Sequence, residues 1–206
     1  MFRKSLQVIQ ENRALYVWCN GGYYGLMLVT MLAMLAAPQI QEQYLAQSRT
    51  QVGIEGHVLS IVDATYISGS VLGAASVTFL INFFVGTLLF FTLPSILFPP
   101  AAIFLGAYRA IFWGVLYSPA SAVIRQPHML WTAGTLLLEG QGYILAIFAA
   151  LVAFKGWLKP ALYQQEGRLA GYWQGLKKAM PIYIPVILIL ALASVYEAVT
   201  VIYLQR

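Results

Sequence analysis

Long apolar runs that carry almost no charge are the feature that most constrains how this chain can fold. Of its 206 residues, 60% are hydrophobic and only 9% are charged, whereas a soluble domain carries about 25% charged residues. A soluble fold of this composition would have too little polar surface to face water. We therefore predict an all-α fold, a polytopic transmembrane helix bundle that forms a single integral membrane domain with amphipathic surface helices.

The apolar runs divide the chain into about five predicted spans. A helix that crosses a bilayer needs about 20 mostly apolar residues. Tyr and Trp stand at many ends of these runs, as is typical at the level of the lipid headgroups. Basic residues followed by an apolar run also begin a signal peptide, but we interpret the first run as a retained span. The predicted spans lie at about residues 17–37, 69–93, 101–117, 129–154 and 182–203.

The distribution of Lys and Arg predicts the orientation of the spans. Three basic residues precede the first span, and five lie between residues 155 and 178. The two connections on the opposite side carry one each, Arg49 and Arg125. Because cytoplasmic loops are enriched in Lys and Arg, we expect a multi-pass protein of the inner (plasma) membrane. Its N-terminus would be cytoplasmic and its C-terminus outside.

The connections between the spans carry further predictions. Residues 2–16 and 160–180 alternate apolar and basic positions at helical spacing, which favours amphipathic helices on the inner membrane surface. The connection at 38–68 holds most of the outer acidic residues and is the natural surface for a partner. Residues 94–100 contain three prolines and no charge. This stretch is either a tight hairpin, since Pro cannot continue a helix, or a re-entrant break of the kind found in transporters.

Small residues recur at four-residue spacing in the first three predicted spans. Such rows let helix backbones approach closely. They either pack the bundle internally or form a homodimer face. The positions are Gly21 and Gly25 in the first span, Ser70, Ala74, Thr78, Asn82 and Gly86 in the second, and Ala102, Gly106, Ala110 and Gly114 in the third.

Three ionisable residues fall inside predicted spans, namely Arg109, Glu139 and Glu197. Such residues are costly in a bilayer and rarely face lipid. Counted from the outer span ends at about 1.5 Å per residue, they lie roughly 12, 12 and 9 Å deep. We predict that they form one buried network in the outer half of the membrane. It would be either a structural clamp with one Glu protonated or a polar cavity open to the outside. Neighbouring polar residues that could complete the network are Asn82, Gln141 and Tyr143.

No enzyme motif accompanies these charges. The sequence contains no Walker loop, HExxH or GxSxG, and Asp63, Cys19, His57 and His128 are its only Asp, Cys and His residues. We therefore expect no catalytic residue, no metal site and no cofactor. The net charge of +5 comes from cations at the ends of apolar runs, where they meet anionic headgroups, so no nucleic-acid partner is predicted.

Four stretches resemble the stage II sporulation protein M family of integral membrane proteins. SLQVIQENRALY is similar to the family's opening, and FLINFFVGTLLFFTLPSILFPPAAIFLGAYRAIFWG is similar to its central hairpin, with Asn82 early. TAGTLLLEGQGYILA and VYEAVTVIYL resemble its fourth and closing spans, which places Glu139 and Glu197 on its two acidic positions. The resemblance implies a non-enzymatic membrane component, such as an anchor for a cell-wall-hydrolase machine or a membrane partner encoded beside a transport ATPase.

The sequence thus leaves two hypotheses for function. The first is a non-enzymatic scaffold or subunit of a larger membrane complex, whose partners are the lipid bilayer and other membrane proteins or a second copy of the chain. The second is a small permease subunit that works with a cytoplasmic ATPase. In that case the amphipathic stretches on the inner face would couple the two proteins.

Overall fold

In the computed structural model, which describes residues 2–52, 58–120 and 129–204, every regular element is a helix. The all-α prediction is therefore confirmed for this part of the chain. Before residue 121 the elements are α1 (Phe2–Glu11), α2 (Arg13–Ala36), α3 (Pro38–Val52), α4 (Val58–Ile67), α5 (Val71–Leu80), a π-helix (Ile81–Thr92), α6 (Leu93–Leu97) and α7 (Ala101–Leu116). After residue 128 they are α8 (Met129–Leu158), a 3₁₀ turn (Pro160–Tyr163), α9 (Arg168–Ala179), a second 3₁₀ turn (Met180–Ile182) and α10 (Tyr183–Leu204).

Four helical segments of the described chain are long and apolar enough to cross a membrane, and they coincide with four of the five predicted spans. They are Arg13–Ala36, Val71–Leu97, Trp131–Leu158 and Arg168–Leu204. The remaining predicted span is α7, which has 16 residues. At about 1.5 Å per residue it is about 24 Å long, shorter than a hydrocarbon core of about 30 Å. A fifth crossing therefore stays a prediction.

α8 is the central helix of the bundle. In its most apolar 18-residue window, 78% of the residues are buried, because α2, α7, α9, α10 and the π-helix all pack against it. Tyr143, Ile144 and Phe148 are fully buried along its length. Glu139 of α8 is buried as well and is therefore held inside the protein, away from lipid.

The connection between α6 and α7 is a tight hairpin. Pro94 stands in the first turn of α6, where a missing backbone N–H is tolerated. The chain becomes extended at Phe98 (φ −133°, ψ 95°) and α7 begins after Pro100. The amide of Phe98 donates to the Pro94 carbonyl (2.7 Å), and that of Ala101 donates to the Phe98 carbonyl (2.8 Å). Of the two interpretations of residues 94–100, the structure has the hairpin.

A π-helix of 12 residues interrupts the second predicted span. The hydroxyl of Thr87 donates to the carbonyl of Asn82 (3.0 Å), and that of Thr92 donates to the carbonyl of Thr87 (3.1 Å). Each bond spans five residues, which matches the i→i+5 pattern of a π-helix. π-helical turns are rare and occur often at functional sites. The helical period changes at Ile81, yet Asn82 and Gly86 of the predicted row are both buried within the π-helix.

Two basic segments meet at one end of the bundle. The hydroxyl of Ser5 on α1 donates to the Pro181 carbonyl (2.6 Å), and α9 packs back along the last turns of α8. Gly156 and Gly171 let those two helices touch, since a Cβ on Gly156 would lie 2.2 Å from the Gly171 carbonyl oxygen. The predicted surface helix at 160–180 is therefore corrected. Its helical part, α9, buries one face against α8 as well as presenting another outward.

The connection at 38–68 is two helices, α3 and α4, in the residues that the structure describes. α3 packs against α7 and α4. The buried amide of Gln41 donates to the carbonyls of Leu116 (3.1 Å) and Ser118 (2.7 Å), which satisfies open carbonyls at the C-terminus of α7. This connection therefore covers the end of the bundle opposite the basic segments. Glu55, His57, Arg125 and His128 lie outside the described residues.

Candidate functional site

A polar cavity of about 650 Å³ opens under the α3–α4 connection. This volume lies within the range of about 300–1,000 Å³ that is usual for ligand pockets. Seven helical elements contribute to its wall. The lining residues are Tyr44, Gln47, Val62, Thr78, Ile81, Asn82, Tyr108, Arg109, Phe112, Trp113, Leu116, Tyr117, Glu139 and Glu197.

A chain of hydrogen bonds connects the arginine of this cavity to one of its carboxylates. Arg109 donates to the hydroxyl of Tyr143 (3.0 Å), which donates to the side-chain oxygen of Asn82 (2.9 Å). The amide nitrogen of Asn82 donates in turn to Glu139 (2.5 Å). Asn82 and Tyr143 therefore carry the connection across three helices. Polar groups buried with partners in this way fix the relative positions of the elements that hold them.

The two glutamates lie together at the far end of this chain of bonds. Their carboxyl groups interact with each other, and Glu197 also interacts with the hydroxyl of Tyr66. That hydroxyl lies 2.9 Å from the hydroxyl of Thr78. Glu139 is only 8% exposed, and Oε2 of Glu197 is a buried atom with no hydrogen-bond partner among the described residues. Two adjacent buried carboxyl groups cannot both stay ionised without a compensating cation.

Arg109 contacts aromatic rings instead of the carboxylates. Its guanidinium lies 4.6, 5.3 and 5.9 Å from the ring centres of Tyr143, Trp113 and Phe90, a cation–π arrangement. Among the described residues, the ion pair that forms is at the other end of the bundle, between Lys178 and Glu11 (2.6 Å). The structure brings the predicted cluster of Arg109, Glu139 and Glu197 together. The guanidinium reaches Glu139 only through Tyr143 and Asn82.

Gln141 does not belong to this cluster. Its amide donates to the hydroxyl of Tyr16 on α2 (2.6 Å). Gln141 follows Glu139 by two residues, and this offset places the two side chains on different faces of α8. Of the six predicted network residues, the structure brings Arg109, Glu139, Glu197, Asn82 and Tyr143 together.

Most of the predicted small-residue positions allow close helix contacts. Ala74 and Ala110 are fully buried. A Cβ on Gly86 would lie 2.8 Å from the hydroxyl of Tyr143, one on Gly106 would lie 2.9 Å from Ile147, and one on Gly114 would lie 2.5 Å from Thr30. Gly86 therefore makes room for Tyr143, a member of the hydrogen-bonded series from Arg109 to Glu139.

Gly21 and Gly25 differ from those positions. A Cβ at either would meet no atom of the described residues within 4 Å, and the same holds for Gly22 between them. Of the two interpretations of this row, internal packing is therefore contradicted at Gly21 and Gly25, and the homodimer face stays a prediction. We call these three residues the glycine face of α2.

The sequence reasoning missed several residues of the cavity. Tyr44 and Gln47 come from α3, and Tyr66 from α4, segments assigned to an outer loop. Their spacing offered a weak indication, since Tyr44 and Gln47 are three residues apart and share a helix face. Trp113 follows Arg109 by four residues, the spacing at which side chains on one helix stack.

A smaller polar pocket of about 210 Å³ lies at the basic end, among Glu11, Asn12, Lys155, Tyr163 and Lys178. Lys155 donates to the side-chain oxygen of Asn12 (3.0 Å). The hydrogen bond from Lys178, followed by that from Gln7, lowers the pKa of Glu11. Here each cation already has a partner, so this pocket holds the N-terminal helices to the bundle.

No protein-family model, no curated protein and no solved structure matches this chain. The likeness to the stage II sporulation protein M family therefore stays a prediction, and function has to be argued from the geometry.

Proposed function

We propose that this protein is a non-enzymatic integral membrane subunit of a larger membrane complex, in which it acts as a scaffold. It would associate with a partner helix through the glycine face of α2. The observation that carries this proposal is the contrast between a row of small residues and the lack of any contact on it within the described chain.

The surroundings of the glycine face support a helix as its occupant. In the apolar 18-residue stretch of α2 only 28% of the residues are buried, against 78% in that of α8. Trp18 of α2 is 77% exposed. Small residues four apart are the usual contact surface between membrane helices. Lipid tails do not require such spacing, whereas a second helix backbone does.

An apolar groove extends the glycine face toward α7. It has a volume of about 310 Å³ and is lined by residues of α2, α7 and α8, among them Cys19, Gly22, Gly106 and Ile147. Side chains of a partner helix could insert there while its backbone lies on the glycines. This gives the proposed contact both a flat surface and a recess.

The charge distribution supports the orientation we propose for the complex. α1 and α9, which together carry five of the twelve Lys and Arg residues, meet at one end of the bundle, and the polar cavity lies toward the other. With the basic end in the cytoplasm of an inner (plasma) membrane, the cavity faces outward and the chain crosses an odd number of times.

The proposal is tested by substituting the glycine face in the tagged full-length protein. Gly22→Leu and Gly25→Leu add side chains where the chain itself leaves space, so the fold should persist. For the wild type we expect native mass spectrometry, after purification in mild detergent, to show a complex. For the two variants we expect this complex to be lost. Gly167→Leu, which also has nothing within 4 Å but lies near the basic end, is the matched control. A wild type that is only monomeric, or a complex unchanged by both α2 variants, would contradict the proposal.

The polar cavity favours a second candidate, a permease subunit that pairs with a cytoplasmic ATPase. Intramembrane ionisable residues often mark a substrate path, and α9 offers an exposed basic surface for coupling. A Glu139→Gln variant that assembles normally yet loses transport would favour this candidate over the scaffold. Loss of assembly or stability without a transport defect in the remaining complex would favour the scaffold.

A further inference from the structure

The charges of the polar cavity do not balance within its own wall. Among the residues that the structure describes, its wall contains one cation, Arg109, and two carboxyl groups, those of Glu139 and Glu197. Arg109 is held by the Tyr143 hydroxyl and by three aromatic rings. If both carboxyl groups are ionised, the wall has one negative charge in excess. Since uncompensated charge is costly at this depth, the site needs one more positive charge.

That positive charge can be a proton or a bound cation, and the two exclude each other. In the described part of the chain, the remaining ionisable groups that face the carboxyl groups are Tyr23 on α2, Tyr66 on α4, Tyr117 after α7 and Tyr143 on α8. Phenols are neutral donors near neutral pH. The carboxyl pair is therefore the group that exchanges a proton for a cation.

The size of the cavity indicates an organic cation. A volume of about 650 Å³ is many times that of a single ion and its oxygen ligands at 2.3–2.6 Å. No group of three or more His, Cys, Asp or Glu side chains occurs in the described part of the chain. The space is instead comparable to that of a small-molecule pocket.

The aromatic wall suits the apolar part of such a cation. Tyr44, Tyr108, Phe112 and Trp113 line the cavity beside the charged residues. Aromatic faces attract organic cations, quaternary ammonium groups in particular. One side of the cavity thus offers carboxylate, and the other offers ring surface.

From the cavity, its charge excess and its aromatic wall together, we propose that this site binds a small organic monocation against Glu139 and Glu197, with displacement of a proton. The inference goes beyond the scaffold role and does not rest on it. It involves no residue of the glycine face, so binding and assembly can fail independently.

Benzyltrimethylammonium is the probe, because it has a permanent charge, one aromatic ring and no exchangeable proton. Isothermal titration of the purified full-length protein should show saturable binding to the wild type and to Glu166→Gln, which removes an exposed carboxylate near the basic end. For Glu197→Gln and Glu139→Gln we expect the dissociation constant of the probe to rise by at least roughly tenfold. A tenfold rise corresponds to a loss of about 1.4 kcal/mol of binding free energy. Partition of the probe into detergent is the same for all four proteins and cancels.

A second measurement needs no variant. Titration of the wild type in two buffers of different ionisation enthalpy reports the protons released, and we expect release on binding. Failure of the wild type to bind the probe, or equal binding by Glu197→Gln, would overturn the proposal. Binding without proton release would overturn the displacement of a proton. If Glu139→Gln does not fold, Glu197→Gln and the proton measurement decide the question.

Discussion

α2 and α7 both carry glycines at helical spacing, yet only the glycines of α7 have side chains of other described residues packed against them. Gly106 and Gly114 of α7 lie against Ile147 and Thr30, whereas Gly21 and Gly25 of α2 meet no atom of the described chain within 4 Å. The two helices pack against each other, and α2 contacts Gly114 through the larger residues Met27 and Thr30, while Gly22 only borders the groove between the helices. Identical spacing can therefore mean an internal contact or an unfilled one, and only the three-dimensional arrangement distinguishes them.

The largest effect is expected from Gly114→Leu. A Cβ there would lie 2.5 Å from Thr30 and 2.6 Å from the Met27 carbonyl oxygen, and backbone cannot move aside cheaply. We expect the free energy of unfolding to fall by about 3 kcal/mol, measured by denaturant titration in mild detergent. Stability equal to that of the wild type would mean that α2 and α7 are not in contact here.

Gly86→Ala should have an intermediate effect. Its Cβ would approach the Tyr143 hydroxyl to 2.8 Å and push it away from Arg109 and Asn82. We expect a loss of about 1–2 kcal/mol, the usual cost of leaving buried polar groups without partners.

A double-mutant cycle with Tyr143→Phe controls this interpretation. Because the phenylalanine lacks the hydroxyl that Gly86→Ala displaces, the second substitution should cost much less in that background. If the losses of unfolding free energy are additive, Gly86 acts independently of the hydrogen bonds of Tyr143.

Gly22→Leu should change the stability of the isolated protein by no more than about 0.5 kcal/mol. The substitution adds a side chain to an open surface, so any larger effect should appear only in assembly with a partner. Thermal unfolding of the monomer in detergent is the measurement. A loss comparable to that of Gly114→Leu would show that the glycine face is packed within this chain.

The smallest effect is expected at the basic end of the bundle, where Glu11 of α1 pairs with Lys178 of α9. Both side chains are well exposed, so Glu11→Gln should cost only a few tenths of a kcal/mol. Since the folded state lowers the pKa of Glu11 below its usual 4.5, this contribution is present above that pH. It is lost as the pH falls through the lowered value. The wild type and the variant should therefore converge in acid, as seen by unfolding at neutral and low pH.

The sequence predicted the helical membrane fold because long apolar runs leave few alternatives. The helix ends of α2 and α10 fall within a few residues of the predicted spans. The charged cluster could be predicted as well, because counting along helices places Arg109, Glu139 and Glu197 at similar depth. The rotation of each helix about its own axis was harder to predict from the sequence. The sequence could not show that Gln141 faces Tyr16 while Glu139 faces Asn82.

The π-helix explains another part of what the sequence reasoning missed. The polar row from Ser70 was counted at four-residue spacing, but Asn82, Thr87 and Thr92 follow one another at five. Such a period could have indicated the i→i+5 bonds that Thr87 and Thr92 make. The partners of Arg109 could not have been read in the same way. Cation–π contacts depend on ring orientation, which sequence spacing does not fix.

The unequal lengths of α7 and α8 have a consequence for the surrounding lipid. α8 has 30 residues and is about 45 Å long at 1.5 Å per residue, whereas α7 reaches about 24 Å. If α7 crosses the bilayer, the lipid beside it has to thin to match the shorter helix. The headgroup region then moves toward Tyr108 and Arg109, which shortens the distance between bulk water and the cavity. The occupancy of the cavity should then depend on bilayer thickness, so acyl-chain length becomes an experimental variable for this protein.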